Sequence, residues 1–93
     1  MSAAVENSEA AILARVVSPD NANLSRDAAN SILQITFPAD DRARMNFLAD
    51  KARLGTLAAE EVDELENYRH VGRFLEVLKS KARLSLKNLL EAA

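Results

Sequence analysis

The sequence predicts an all-α protein, built as an antiparallel helical hairpin with one long C-terminal helix plus short N-terminal helices. Two observations carry this prediction. The chain has 93 residues and is 48% hydrophobic, yet it contains only two Gly and two Pro, so few positions interrupt a helix. Residues 58–90 contain no Pro and a single Gly, which indicates one helix of unusual length.

The first helix is predicted over residues 9–17, where apolar pairs recur at a spacing of four. The pairs are Ile12-Leu13 and Val16-Val17, which would form an apolar stripe on one side of a short helix. Residues 1–8 have no periodicity and are predicted to be flexible, so we expect a single helical domain over residues 9–93. A loop over residues 18–23 follows, because it contains Pro and three Asx residues.

The second helix is predicted to begin at Ser25, whose hydroxyl can accept from a backbone N–H of the first turn. Its expected buried face consists of four apolar positions: Leu24, Ala28, Ile32 and Ile35. Phe37-Pro38 should end this segment, because the residue before a proline avoids the helical region.

The third helix is predicted from Pro38 to about Leu54, with Asp40 and Asp41 in its first turn and Gly55 just after its last residue. The long helix should follow from Ala58 to about Leu90. Gly72 lies within it, where Gly costs about 1 kcal/mol relative to Ala. We interpret this residue as permitting a close helix crossing, with a kink as the less favoured alternative.

The apolar surface of the two long helices is wider than one neighbouring helix covers. On the last helix, one stripe forms a heptad-like seam of Val71, Leu75, Leu78, Ala82 and Leu89, with Ser85 in the gap. A second group lies on other faces: Phe47, Leu54, Phe74, Val77 and Leu84. These residues are either the core of a compact four-helix fold or an interface with a second copy or another protein. The predicted partner interface is Phe47, Leu54, Val71, Phe74, Val77, Leu78 and Leu84.

Charge is distributed unevenly along the chain. Residues 1–68 contain six basic and twelve acidic residues, whereas residues 69–93 contain six basic and two acidic ones. Arg69, Arg73, Arg83 and Lys87 lie along one side of the last helix and are candidates for contact with phosphates or an acidic partner, although a solvated face is equally compatible. The acidic cluster Glu60, Glu61, Asp63, Glu64 and Glu66 is explained by the dipole at the start of that helix, or else serves as a docking surface for a basic partner.

Catalysis, metals and cofactors have no support in the sequence. There is no Cys and one histidine, His70, which lacks any motif that would fix an acid or nucleophile beside it. Phosphate-binding, dinucleotide-binding and hydrolase motifs do not occur. The absence of Cys is compatible with a reducing cytoplasm, and no segment resembles a signal peptide or a membrane span. We therefore expect a cytoplasmic protein that is not an enzyme and holds no cofactor.

About three quarters of the chain, from Leu24 onward, carries short motifs that resemble a widespread group of small, uncharacterised bacterial helical proteins. The motifs are Leu24-Ser25, Ala28-Ala29, Phe37-Pro38, Asp41, Arg44-Met45-Asn46, Leu48, Lys51-Ala52-Arg53, Gly55-Thr56-Leu57, Glu60-Glu61, Leu65, Tyr68, Val71-Gly72 and residues 80–87. Relatives often carry Thr-Pro at Ala58-Ala59, so this chain lacks an expected helix cap. Genes of that group often lie beside one for a small HNH endonuclease.

The resemblance implies a helical partner, or an antitoxin-like regulator, of an HNH-type nuclease. The leading hypothesis is thus a non-catalytic protein-protein interaction module. Two alternatives remain open: nucleic-acid binding through the basic face of the long helix, and self-association of the hairpin as a structural homodimer or larger oligomer. In the last case, the acidic start of one long helix would face the basic end of another.

Overall fold

The computed structural model describes residues 7–92 and confirms the all-α class. Within that range there are four helices and no strand: α1 (Glu9–Val17), α2 (Arg26–Leu33), α3 (Ala39–Leu54) and α4 (Ala59–Ala92). None of these four helices, in the described part of the chain, is both long enough and apolar enough to cross a lipid bilayer. The flexibility predicted for residues 1–8 lies outside the described residues, except for Asn7 and Ser8.

Local signals set the helix ends close to where the sequence predicted them. The Ser25 hydroxyl accepts from the Ala28 N–H at 3.2 Å and caps α2, and Ser8 caps α1 in the same way through Ala11. Gly55 ends α3 in the left-handed region with φ of 70°, a conformation that Gly adopts without the steric cost that Cβ imposes.

α4 begins without a capping side chain, as expected for alanine at its first boundary position. The Ala58 carbonyl accepts from Glu61 and Val62, and the Glu61 carboxylate returns to accept from the Ala58 N–H at 2.9 Å. This is the carboxylate half of a capping box, in which the hydroxyl half is missing. One orphan donor of the first turn therefore lacks the partner that Ser or Thr would supply.

Contacts between residues divide the chain into two compact units. Unit 1 comprises the described residues of Met1–Ile35 and of Arg73–Ala93, and unit 2 comprises Thr36–Gly72. α4 contributes to both, since Gly72 and Arg73 are consecutive residues of one continuous helix. A single domain over residues 9–93 stays a prediction.

Unit 1 is packed around small side chains. Ala29 of α2 and Ala82 and Ser85 of α4 have no exposed surface, whereas every large apolar side chain of this unit retains some. The Ser85 hydroxyl accepts from the Leu24 N–H at 3.2 Å, so the segment that enters α2 is bonded directly to α4. Small buried residues let helix backbones approach closely, which explains why the gap in the predicted seam holds Ser rather than Leu.

Two predicted faces in unit 1 are corrected by the structure. Ala29 is the fully buried residue of α2, whereas Leu24, Ala28 and Ile32 of the predicted face are half-buried. Ile35 is exposed, because α2 ends at Leu33 and leaves it outside the helix. In α1 no residue is fully buried: Leu13 and Val17 are half-buried, while Ile12 and Val16 are exposed. Those apolar pairs span too wide an arc for one edge of a short helix to bury all of them.

Unit 2 consists of α3 and the first part of α4, which run antiparallel. Pairs between them progress in opposite directions along the chain, from Asp41 with Tyr68 to Lys51 with Glu61. Its buried apolar side chains are only Leu48 of α3 and Leu65 of α4. This pairing matches the predicted hairpin over the residues of this unit.

Gly72 does not mark a tight contact, so the interpretation as a close crossing is wrong. A Cβ built on this residue would meet only the edge of the Phe37 ring, at 4.0 Å, which is ordinary van der Waals distance. α4 continues through Gly72 as regular helix. Glycine at this position therefore carries its conformational cost without a packing reason.

We expect Gly72→Ala to raise the free energy of unfolding by about 1 kcal/mol, because Ala loses less backbone entropy in a helix. Gly55→Ala is the matched control and should lower it by about 1 to 2 kcal/mol, because Cβ is disfavoured at positive φ. Urea unfolding of both variants measures the difference. A destabilised Gly72→Ala protein would contradict this account of the site.

Ser85→Ala should lower the free energy of unfolding by about 1 kcal/mol, since it removes the acceptor of the half-buried Leu24 N–H. Ser80→Ala, at an exposed position of the same helix, controls for the higher helix propensity of Ala. Equal urea midpoints for the two variants would show that this hydrogen bond contributes nothing.

Candidate interaction surface

Phe47 is the centre of a preorganised apolar and cationic cluster on α3. Its side chain is 48% exposed. The guanidinium carbon of Arg44 lies 5.2 Å from the ring centroid and the Lys51 Nζ lies 5.4 Å from it. Arg44 and Lys51 precede and follow Phe47 by three and four residues, the helical spacings that bring side chains together. Both cations are within the range of cation-π attraction.

Ion pairs to α4 hold the two cations in place. Arg44 donates two hydrogen bonds to the Glu64 carboxylate, each of 2.8 Å, and the Lys51 Nζ lies 2.7 Å from a Glu61 oxygen. The hydrogen bond from Arg44 lowers the pKa of Glu64, and those from Lys51 and the Ala58 N–H lower the pKa of Glu61. The Phe47 ring is consequently bordered by two cationic side chains that ion pairs to α4 hold in position.

Further exposed apolar side chains lie in the same unit. Leu54 follows Phe47 by seven residues on the same side of α3 and is 76% exposed. Val71, the first residue of the predicted seam, is 49% exposed on α4, and Val62 is exposed too. Phe47, Leu54 and Val71, which the sequence singled out, are thus accessible within this unit.

The other predicted interface residues are half-buried by the chain itself. These are Phe74, Val77, Leu78 and Leu84, all in unit 1. Lys81, which is four residues after Val77 and three before Leu84, donates from its Nζ to the Val17 carbonyl at 2.6 Å. The end of α1 is therefore bonded to α4 at Lys81. A partner-binding role for these four residues stays a prediction.

The predicted basic side of α4 is partly neutralised. Arg69 pairs with Glu66 at 2.9 Å and Arg83 with Glu76 at 3.4 Å. Arg73 and Lys87 are exposed. Contact with phosphates or with an acidic partner would have to compete with two carboxylates, which reduces the favourable electrostatic contribution.

Sequence reasoning missed the partners of the acidic cluster and the charged border of Phe47. The helix dipole was the preferred explanation for the cluster, but Glu61 and Glu64 pair with α3, and Glu66 pairs within α4. The spacing of Arg44 and Lys51 around Phe47 was a usable signal. Their pairing with Glu64 and Glu61 depends on the register of two helices, which the sequence alone does not specify.

Tyr68 of α4 makes a further contact with α3, at Asp41 in the first turn of that helix. Its hydroxyl donates to the Asp41 carboxylate at 2.8 Å, and its ring meets Phe37 edge-on with centroids 5.9 Å apart. The hydrogen bond to Asp41, followed by desolvation, raises the pKa of the phenol. Because the protonated phenol is the donor, this contribution is present below the ordinary tyrosine pKa and is lost as pH rises through the higher value.

The side chains that could bind a metal ion are dispersed in the part of the chain that the structure describes. No group of three or more His, Asp or Glu residues there is placed to hold a metal ion. His70 lies 3.9 Å from the Glu66 carboxylate and is largely exposed.

Comparison with models of known protein families, with curated proteins and with solved structures finds no match to this chain. The resemblance to HNH-associated bacterial proteins therefore stays a prediction from the motifs.

The absorbance of tyrosinate provides a direct test of the Tyr68 geometry, because the chain has one tyrosine and no tryptophan. We expect the native protein to titrate above the ordinary tyrosine value of about 10. Asp41→Asn should move the midpoint back toward that value, and Asp40→Asn, an exposed neighbour, should not. An unchanged midpoint in Asp41→Asn would contradict the contribution of the Asp41 charge.

Proposed function

We propose that this protein is a non-catalytic protein-protein interaction module that binds its partner through Phe47, Leu54 and Val71 on the hairpin of α3 and α4. The observation that carries the proposal is the half-exposed Phe47 ring, fixed between two cations that α4 holds in place. Binding hot spots are commonly aromatic residues whose surroundings are ordered before the partner arrives. Such a ring loses little conformational entropy on association.

The shortage of buried apolar side chains supports the same proposal. In the described residues, the fully or nearly fully buried apolar side chains are Ala29, Leu48, Leu65 and Ala82. By contrast, eight large apolar side chains are exposed: Ile12, Val16, Ile35, Phe47, Leu54, Val62, Val71 and Leu90. Single exposed apolar residues are common. Here, however, the large exposed apolar side chains outnumber the buried ones, so a partner could cover considerable apolar surface.

The identity of the partner is proposed on narrower grounds. An HNH-type nuclease rests on the resemblance of the sequence motifs, and a second copy of the chain rests on the opposite charges of the two ends of α4. A reducing cytoplasm is the compartment we propose, because the chain has no Cys. Nucleic-acid binding is the less favoured function, because Arg69 and Arg83 are already paired.

Affinity capture from the native cell, with mass determination of what is bound, tests this proposal. We expect Phe47→Ser and Leu54→Ser each to weaken capture, with a loss of about 2 kcal/mol, or roughly thirtyfold in affinity, for a hot-spot residue. Thermal unfolding should change little, since both side chains are exposed. Val16→Ser and Leu90→Ser are matched controls, because these residues are 76% and 72% exposed but lie in unit 1.

Capture that is unchanged in both unit 2 variants would overturn the proposed surface. Light scattering separates self-association from binding of a different protein, since a homodimer gives twice the monomer mass. Capture of nucleic acid whose affinity falls steeply with salt and with Arg73→Glu would instead favour the basic side of α4.

A further inference from the structure

The hydrogen bonds that join α3 to α4 all use carboxylates. Arg44 donates to Glu64, Lys51 to Glu61 and Tyr68 to Asp41. The buried apolar side chains are few in both units: Leu48 and Leu65 in unit 2, and Ala29 and Ala82 in unit 1. Polar bridges near a surface are individually weak, but the chemistry of these bonds distinguishes the two units.

Unit 1 is held by bonds of another kind. Among the described residues, two hydrogen bonds join α4 to the N-terminal elements, and neither has a carboxylate as its acceptor. The Ser85 hydroxyl accepts from the Leu24 N–H, and the Val17 carbonyl accepts from the Lys81 Nζ. Neither a serine hydroxyl nor a backbone carbonyl titrates in the acid range. Protonation of carboxylates therefore leaves these bonds intact.

We propose that unit 2 is an acid-sensitive latch, in which α3 separates from α4 on protonation of Glu61 and Glu64 while unit 1 stays folded. Opening would free Arg44 and Lys51 from α4 and so release the charged border of Phe47. Local unfolding of weakly packed segments at lower free energy than the whole chain is a general property of proteins.

The direction of the effect follows from the charges around the carboxylates. Glu64 faces Arg44 and, at longer range, the like charge of Glu61, while Glu61 faces Lys51 and Arg44. The net effect in each case is a lowered pKa, which means that folding favours the ionised form. This stabilisation is present above the ordinary glutamate pKa of about 4.3 and is lost as pH falls through the lower folded value.

An acid titration of the full chain, followed by two probes, tests the latch. Near-ultraviolet circular dichroism of Tyr68 reports on unit 2 alone, because there is no other tyrosine or tryptophan. Amide hydrogen exchange measured by NMR reports on both units. We expect the Tyr68 signal and the protection of α3 amides to disappear while the amides of α2 and of residues 80–90 remain protected. A single transition, coincident for both probes and both units, would overturn the proposal.

A charge-matched pair of double variants tests the cause at neutral pH. Glu61→Gln with Glu64→Gln should reduce α3 protection by up to about tenfold, the contribution that two exposed ion pairs can make, and leave α2 protection unchanged. Glu60→Gln with Asp63→Asn removes the same charge from exposed positions of the same turns and should leave α3 protected. Equal effects from the two variants would assign the loss to the helix dipole and refute the latch.

Discussion

The ion pairs between α3 and α4 are the interaction on which the candidate surface depends. Arg44 and Lys51 each have two roles: they bond to Glu64 and Glu61 across the helix pair, and they border the face of the Phe47 ring. A cation without a fixed partner would sample many rotamers and define no surface. Separation of the two helices would therefore also release the two cations that border the Phe47 ring.

The two units reach stability by different physical means. In unit 1, the wholly buried residues are the small Ala29, Ala82 and Ser85, and the hydrogen bonds from α4 to the N-terminal segments end on a hydroxyl or a backbone carbonyl. In unit 2, two leucines are buried, and the hydrogen bonds between α3 and α4 end on carboxylates. Small side chains give a contact that is insensitive to salt and pH, whereas carboxylate bridges respond to both. Sequence composition averaged over the chain conceals this contrast.

Helix positions could be predicted from the sequence because they depend on neighbouring residues. Ser25, Pro38 and Gly55 act through their own backbone geometry, and their effects do not require knowledge of the rest of the fold. The face that each helix buries was predicted less well: Ala29 was overlooked because small residues carry little weight in a hydrophobic pattern. Gly72 was misinterpreted because a glycine in a helix indicates either close packing or a tolerated cost, and only the distance to Phe37 distinguishes them. The partial burial of Val77 and Leu84 depends on the tertiary fold, which no pattern within α4 contains.

The hydrogen bond between Ser85 and the Leu24 amide also determines how the chain is aligned along its longest helix. A stripe made only of aliphatic residues is nearly self-similar, so a short helix can slide along it by one turn at modest cost. A single hydroxyl at one point of the stripe breaks that similarity, because a displaced arrangement loses the hydrogen bond from the half-buried Leu24 amide to Ser85. The identity of one small polar residue thus selects one arrangement of the N-terminal segment among several of similar apolar contact.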